Sequence, residues 1–167
     1  MGAGIALRIA IHYPDLVSKL VVASVTYNNS GFRPGLLTGM EKLKPEDLTG
    51  TSWQDEYIRI TPNPEDWPTL VDKLKQLDLH IPDLPAGAIR SIKAPTLVII
   101  GDSDIVRPER SVEMLRLLGG VPEDISILPQ SRLAVFPNTT DIELVDRSNW
   151  LIPIVTEFLD APMPEAR

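Results

Sequence analysis

The sequence has no cysteine and only two histidines, His12 and His80, and each shortage removes a class of site. Without cysteine the chain cannot form disulfides, thiolate zinc sites or a cysteine nucleophile. Two histidines are too few for a histidine-rich metal site. We therefore expect neither a metal nor a cofactor.

The sequence also lacks a long hydrophobic run and an excess of basic residues. Its longest apolar runs, such as 20–25 and 96–100, are too short to cross a bilayer, and no signal-peptide pattern opens the chain. The 167 residues carry 16 basic and 23 acidic side chains, a formal net charge of −7. A binding face for nucleic acid needs the opposite balance. These features predict a cytoplasmic protein that binds neither nucleic acid nor membranes.

Apolar segments alternate with helical patterns in the order typical of a parallel α/β sheet. Three short runs are largely apolar, as buried parallel strands are. The predicted strands are 20–25, 95–101 and 132–136, and the predicted flanking helices are 2–13, a helix that starts at Pro108, and 149–159. We expect a small α/β fold with three parallel strands.

The segment between the first two predicted strands has a different character. Residues 26–92 contain seven of the 16 prolines and two of the three tryptophans, Trp53 and Trp67, and they fit short helices such as 64–79. We expect 26–92 to be a helical lid or cap inserted into a core formed by 1–25 and 93–167, with the tryptophans in lid packing.

The first segment that carries a family resemblance is MGAGIAL at 1–7, followed by HYPD at 12–15 and LVVA at 20–23. It resembles the second half of the nucleophile elbow of α/β-hydrolases, G-x-S-x-G, with its helix and the next strand. The resemblance places Gly2 at the final glycine and Met1 at the residue after the serine, which is an oxyanion-hole position. The serine itself would precede Met1.

The second segment is APTLVIIGDSD at 94–104, followed by RPE at 107–109. It resembles the strand and loop that present the acid of the catalytic triad, and Asp104 falls at the acid. An aspartate in a loop after a strand also commonly binds the backbone of its own turn. Both interpretations of Asp104 stay open.

The third segment is LAVFPNTTD at 133–141, with Phe158 and Leu159 near the end of the chain. In α/β-hydrolases the triad histidine follows such a strand and turn, and here that position is Asp141. Two nearby carboxylates repel, so we expect one pKa to rise or a cation to lie between Asp104 and Asp141. A solvated turn residue is the alternative that we favour for Asp141.

Other candidate residues carry less weight. We expect His12 to cap a helix or lie on the surface, and His80 to be structural. Ser103 lies in IGDS at 100–103, which is similar to the nucleophile block of SGNH-type hydrolases, but no histidine follows residue 80. The glycines in 2–4 resemble a dinucleotide-binding loop without a preceding strand, so tight packing of a helix start explains them better.

The resemblance as a whole is to the C-terminal portion of an esterase- or lipase-like α/β-hydrolase, without the N-terminal half. It implies a relative of hydrolases that lacks normal serine-hydrolase activity, because an aspartate stands at the position of the base. Two alternatives remain: a non-catalytic binding or assembly module, and a weak hydrolase that improvises a site from two carboxylates and a metal or water.

The resemblance also implies that the predicted strand 20–25 has lost a neighbour on one side. An apolar strand with an open edge is a site for pairing or aggregation. We therefore expect a homo-oligomer, most simply a two-fold dimer formed through strand 20–25 or through an exposed core face. A small acyl or ester molecule is the expected ligand.

Overall fold

A computed structural model describes residues 2–124, 126 and 128–163. Its centre is a three-stranded parallel sheet in the order β1-β2-β3. The strands are β1 (Leu20–Ala23), β2 (Thr96–Gly101) and β3 (Arg132–Phe136). The predicted α/β fold with three parallel strands is confirmed.

The central strand β2 is buried along its whole length. Leu20 is opposite Thr96 in the pairing with β1, and Leu97 is opposite Arg132 in the pairing with β3. A strand that is covered on both faces and at both edges has no solvent-facing positions. This is why its sequence is almost continuously apolar.

Seven α-helices and five short 3₁₀ segments connect and cover the strands in the described part of the chain. The helices are α1 (Gly2–His12), α2 (Leu36–Lys42), α3 (Ser52–Ile60), α4 (Trp67–His80), α5 (Ala86–Arg90), α6 (Pro108–Leu117) and α7 (Ser148–Asp160). The 3₁₀ segments are Pro14–Leu16, Asn29–Gly31, Pro45–Leu48, Pro64–Asp66 and Glu143–Arg147. The predicted helices 2–13 and 149–159 agree with α1 and α7 within one residue at each end.

Side chains alternate between the two faces of the sheet and build a separate apolar cluster on each face. Five of the fully buried members on one face are Leu7, Val22, Ile89, Val98 and Met114. The buried members on the other are Leu97, Ile99, Phe136, Leu144 and Phe158. Helices α1, α5 and α6 therefore cover one face, α7 covers the other, and the sheet is the middle layer.

The chain divides into two compact units. One contains the sheet and comprises the described residues of Met1–Arg33 and Asp83–Arg167, and the other is Pro34–Pro82. The sheet unit includes α5, whose Ile89 is fully buried in the apolar cluster. The predicted boundaries of the insertion, 26 and 92, therefore lie outside the helical unit.

The helical unit has its own packing around α4. The rings of Tyr57 and Trp67 are 5.4 Å apart between centroids, and Trp67 and Val71 are buried. Lys75 donates to the carbonyl oxygen of Leu43 at 2.9 Å. Packing was predicted for both tryptophans, but Trp53 is 51% exposed, so the prediction is wrong for that residue.

None of the helices in the described ranges combines the length and the hydrophobicity of a membrane-spanning segment.

Candidate functional site at the carboxyl end of the sheet

Asp104 is fully buried in the turn that follows β2. Its Oδ1 accepts the backbone N–H of Val106 at 3.0 Å. Its Oδ2 accepts the hydroxyl of Ser24 at 2.6 Å and the backbone N–H of Gly101 at 3.4 Å. Asp104 therefore does bind the backbone of its own turn, and it also binds a side chain from the end of the neighbouring strand.

Ser24 is the residue directly after β1, and its backbone is in the left-handed region, with φ of 49°. Its N–H donates to the carbonyl oxygen of Ile99 at 3.0 Å. Since β1 and β2 are parallel, their carboxyl ends meet at one edge of the sheet and bring Ser24 beside Asp104. The predicted strand 20–25 was too long because this change of backbone direction ends β1 at Ala23.

The turn after β2 also binds the turn after β3. Asp102 accepts the backbone N–H groups of Asn138 at 2.9 Å and Thr139 at 3.2 Å, while the N–H of Ser103 donates to Thr139 at 3.1 Å. The bonds from Asn138 and Thr139 lower the pKa of the Asp102 carboxyl. These contacts fix the direction in which the chain leaves β3.

The backbone of the Asp104 turn is held by a second side chain of the sheet unit, Arg33. The Nε of Arg33 donates to the backbone carbonyl oxygen of Asp104 at 2.5 Å, and Nη2 donates to that of Asp102 at 3.1 Å. The guanidinium therefore binds main-chain oxygens and leaves the Asp104 carboxylate to its other donors.

Asp141 lies two residues beyond Thr139 and is partly buried. Burial raises the pKa of the Asp141 carboxyl, and the negative charge of Asp104 raises that pKa further. This agrees with the predicted repulsion between the two carboxylates. Asp141 lies in a turn and is partly exposed, so the alternative of a solvated turn residue stays open.

Met1, the residue at the predicted oxyanion-hole position, lies outside the described residues. Gly2 begins α1, as the resemblance implies for the glycine that ends the elbow. A Cβ atom on Gly2 or Gly4 would meet no atom within 4 Å. The predicted tight packing at this helix start is therefore wrong.

Both histidines are exposed on their own helices. His12 is exposed at the end of α1, which leads back toward the start of β1, whereas Asp104 follows the end of β2. His80 is exposed, and its Nδ1 lies 2.7 Å from the backbone oxygen of Gln76 in the same helix, α4. The expected surface or structural roles agree with these positions. The hydroxyl of Ser103 is exposed and donates to Asp102 at 3.1 Å.

Within the described ranges, no three His, Cys, Asp or Glu side chains are grouped so that they could hold a metal ion. Asp104 already accepts three hydrogen bonds. The two carboxylates of the site are fewer ligands than a protein metal site ordinarily provides.

No protein-family model and no curated protein matches the sequence. Solved structures of α/β-hydrolases do match the fold. A mutant meta-cleavage product hydrolase, CumD from Pseudomonas fluorescens, complexed with acetates, has a TM-score of 0.65 and 18% identity, and the match covers 95% of this chain. An α/β-hydrolase enzyme from a Medee basin deep-sea metagenome library gives a TM-score of 0.67 at 19% identity over 99% of this chain.

The enol-lactonase from Burkholderia xenovorans gives a TM-score of 0.58 at 15% identity over 96% of this chain. The matches cover 61%, 64% and 63% of the three solved chains, in the order given. This chain therefore spans less than two thirds of their length. It shares their fold over nearly all of its own residues.

Proposed function

We propose that this chain, which has a fold shared with α/β-hydrolases, is a relative of those enzymes that lacks ordinary serine-hydrolase activity. The observation that supports the proposal most directly is Asp141. It stands where the resemblance implies the catalytic base, and burial together with the negative charge of Asp104 raises the pKa of its carboxyl.

A carboxyl group cannot do the work of the imidazole in a triad. Imidazole accepts a proton on one nitrogen while its other nitrogen donates to the acid, and its pKa lies near neutrality. A free aspartate has a pKa of about 3.9 and is a weak base. Burial and the charge of Asp104 raise the pKa of Asp141. The site still holds two carboxyl groups, which carry like charges when ionised, whereas a triad needs a hydrogen-bond donor facing an acceptor.

A covalent label tests this proposal. The purified chain is incubated with a fluorophosphonate probe, which reacts with activated serines, and its intact mass is measured beside that of Asp104→Ala. We expect no adduct in either protein. One stoichiometric adduct in the wild type that Asp104→Ala loses would overturn the proposal.

A second candidate function, assembly with another copy of the chain, is favoured by the open edge of β1. Within the described residues β1 pairs only with β2. The N–H of Leu20 donates to Pro95, the residue before β2, and the N–H of Ser24 donates to Ile99 in β2. The backbone groups of the alternate residues, Val21 and Ala23, therefore point away from β2.

Helix α1, which packs beside β1, has an exposed apolar stripe. Ile5, Ile9 and Tyr13, the residue that follows the helix, are spaced at intervals of four residues, and they are 59%, 41% and 61% exposed. A two-fold axis beside β1 would pair its edge with the same edge of a second copy and would bring the two stripes together. Light scattering at micromolar concentration should give the mass of a dimer. A monomer would contradict this candidate.

A small acyl or ester molecule is the ligand that we propose for a binding role. Short-chain fatty acids and their esters should raise the melting temperature as their concentration rises. The absence of any shift across such a series would count against binding.

The remaining alternative, a weak hydrolase built on the two carboxylates, predicts activity that depends on Asp141. Any activity that Asp141→Ala and chelators both leave unchanged would remove that alternative.

A further inference from the structure

The amino end of the sheet, opposite the candidate site, carries two cationic side chains. Lys19 directly precedes β1, and Arg132 is the first residue of β3. The centroid of the Phe158 ring in α7 lies 5.8 Å from Nζ of Lys19 and 5.6 Å from the guanidinium carbon of Arg132. Alternation along the strands explains this face, since Val21 and Ala134, two residues further on, pack against the apolar cluster beneath α7. Both cations therefore flank one buried ring.

A cleft of about 320 Å³ lies beside these two side chains. Lys19 and Arg132 are its charged lining residues, and none of the described residues that line it is acidic. The rest of the lining is Gln130 and apolar residues, among them Pro95, Phe158 and Pro162. The volume is at the lower end of the range of about 300–1,000 Å³ for small-molecule sites. The cleft therefore offers a small molecule apolar walls and positive charge.

Lys19 supplies a fixed charge to this cleft. Its Nζ donates to the carbonyl oxygens of Phe158 at 3.0 Å and Leu159 at 2.6 Å, and also to that of Ala161. An ammonium group has three donors, so these bonds use all of them. They also satisfy carbonyl groups at the end of α7, which a helix leaves without partners. Lys19 can attract an anion through its charge, but it has no donor left for one.

Arg132 does have donors left for a ligand. Its Nη1 lies 3.3 Å from Oε1 of Glu157, and the two side chains are 42% and 80% exposed. Exposed ion pairs of this kind contribute little, and a guanidinium has five N–H donors in a planar fork that matches a carboxylate. Glu157 does not line the cleft. A second carboxylate can therefore bind Arg132 from the cleft side or displace Glu157 from it.

We propose that this cleft binds a small organic carboxylate, whose anionic group pairs with Arg132 near the fixed charge of Lys19. The apolar body of the ligand lies against Pro95, Phe158 and Pro162. Charge complementarity selects this class of molecule, since the lining joins two cations to apolar walls. The inference rests on the proposed binding of a small acyl molecule and deepens it. It selects the free acid over the ester and places it at the end of the sheet opposite Asp104.

Hexanoate is the probe that tests the cleft, and hexanamide is its neutral match in length and shape. Each is titrated into the ¹⁵N-labelled chain at pH 7, and the amide shifts are followed by two-dimensional NMR. We expect saturable shifts with hexanoate, largest around Gln130 and Arg132, and none with hexanamide. Equal binding of hexanamide would overturn the inference. Inorganic phosphate bound as tightly as hexanoate would also overturn it, because the cleft would then recognise charge alone.

Two variants change the contact with the carboxylate in opposite directions. Arg132→Gln should weaken hexanoate binding about tenfold, as expected when a charge-assisted hydrogen bond is lost. Glu157→Gln removes the carboxylate that competes for Arg132, so it should tighten binding about two- to fivefold, which corresponds to the strength of an exposed ion pair. Glu157→Gln also keeps the inference testable if Arg132→Gln fails to fold.

The matched control is Arg116→Gln, at an exposed cation of α6 on the other face of the sheet. It changes the net charge by the same amount as Arg132→Gln and should leave the affinity for hexanoate unchanged. Equal affinities of the wild type and Arg132→Gln would overturn the inference. Equal losses in Arg116→Gln and Arg132→Gln, or weaker binding by Glu157→Gln, would do the same.

The failure of this inference is distinguishable from the failure of the proposed function. Hexanoate that binds the wild type and Arg132→Gln equally well would refute the cleft and leave the binding role in place. The absence of any shift with hexanoate and with its methyl ester would refute the binding role itself. Neither result bears on the lack of hydrolase activity, which the fluorophosphonate label tests without a ligand in the cleft.

Discussion

The backbone carbonyl oxygen of Thr139 lies 1.9 Å from the place that a Cβ atom on Gly101 would occupy. The last residue of β2 and the turn after β3 are therefore in direct backbone contact. This contact, together with the hydrogen bonds from Asn138 and Thr139 to Asp102, holds the chain so that Asp141 follows beside the Asp104 turn. The arrangement of the candidate site depends on a residue that has no side chain.

Gly101→Ala should destabilise the sheet unit. The added methyl must displace the backbone at Thr139, and overpacking of this kind costs about 1–3 kcal/mol in the free energy of unfolding. Urea denaturation followed by circular dichroism measures the loss.

The matched control for that variant is Gly4→Ala in α1, where a Cβ atom meets nothing within 4 Å. It should stabilise the protein by about 0.5–1 kcal/mol, because alanine is the better helix former. Equal effects of the two substitutions would contradict the backbone contact between β2 and the turn after β3.

Asp141→Asn should stabilise the protein at neutral pH. Burial and the charge of Asp104 raise the pKa of Asp141 in the folded state above its unfolded value. A group of this kind favours folding fully below its unfolded pKa, and that contribution is lost as the pH rises through the folded pKa. The amide in Asp141→Asn does not ionise, so the variant does not lose this stability as the pH rises. Urea denaturation from pH 3 to pH 7 measures the difference in the free energy of unfolding between variant and wild type.

The advantage of Asp141→Asn should shrink as the pH falls and disappear below about pH 3.9, where the carboxyl is protonated in both states. Asp146→Asn, at an exposed carboxylate in the following 3₁₀ segment, is the matched control that removes a charge at the surface. A constant difference between Asp141→Asn and the wild type across the whole range would mean that charge is not the cause.

Tyr27→Phe should destabilise the sheet unit by about 1 kcal/mol, the net contribution of a typical hydrogen bond. The buried Tyr27 donates its hydroxyl to Glu113 at 2.6 Å, and Arg110 binds the other oxygen of the same carboxylate at 2.6 Å. Removing the donor leaves Glu113 with one partner fewer. Tyr13→Phe, at a tyrosine that is 61% exposed, should leave the unfolding midpoint unchanged.

Val21→Pro should disrupt the proposed dimer and leave the fold in place. Proline removes an N–H that points away from β2, and such positions at a sheet edge tolerate proline. Analytical ultracentrifugation should therefore show the mass of a monomer for Val21→Pro and of a dimer for Val21→Ala, which shortens the side chain but keeps the N–H. A dimer in both variants would rule out pairing through β1.

The three strands were found from their largely apolar runs, although β3 is buried only at Phe136. The strand 132–136 has the bounds of β3, and 95–101 differs from β2 by one residue. The first strand was predicted two residues too long, because nothing in the run 20–25 shows that Ser24 turns the backbone into the left-handed region. Hydropathy reports where a side chain is buried and carries no information about the sign of φ.

The contacts of the candidate site were only partly predictable. Asp104 and Asp141 could be found from the segments around them. The main cause of the raised pKa of Asp141 is burial, which the sequence pattern does not show, and the charge of Asp104 adds to it. Ser24 was missed because a serine after a strand is an ordinary turn residue. One signal was available, since parallel neighbouring strands bring their following residues to the same edge, and Ser24 and Asp104 follow β1 and β2.

The bounds of the helical unit depend on packing that the sequence pattern does not show. Prolines are spread from residue 34 to residue 85, so composition alone suggested one continuous segment between the strands. In the structure the short helix α5 belongs to the sheet unit, because Ile89 fills the apolar cluster beneath α1 and α6. A five-residue helix is too short for its hydrophobic pattern to show which unit it joins.

Hydrolysis of p-nitrophenyl butyrate at pH 7–9 by the purified chain, measured beside Asp104→Ala and a protein-free blank, tests most directly the claim that the chain lacks ordinary serine-hydrolase activity. The wild type and Asp104→Ala should both release nitrophenol at the rate of the blank. Repeated turnover by the wild type that Asp104→Ala abolishes would contradict it.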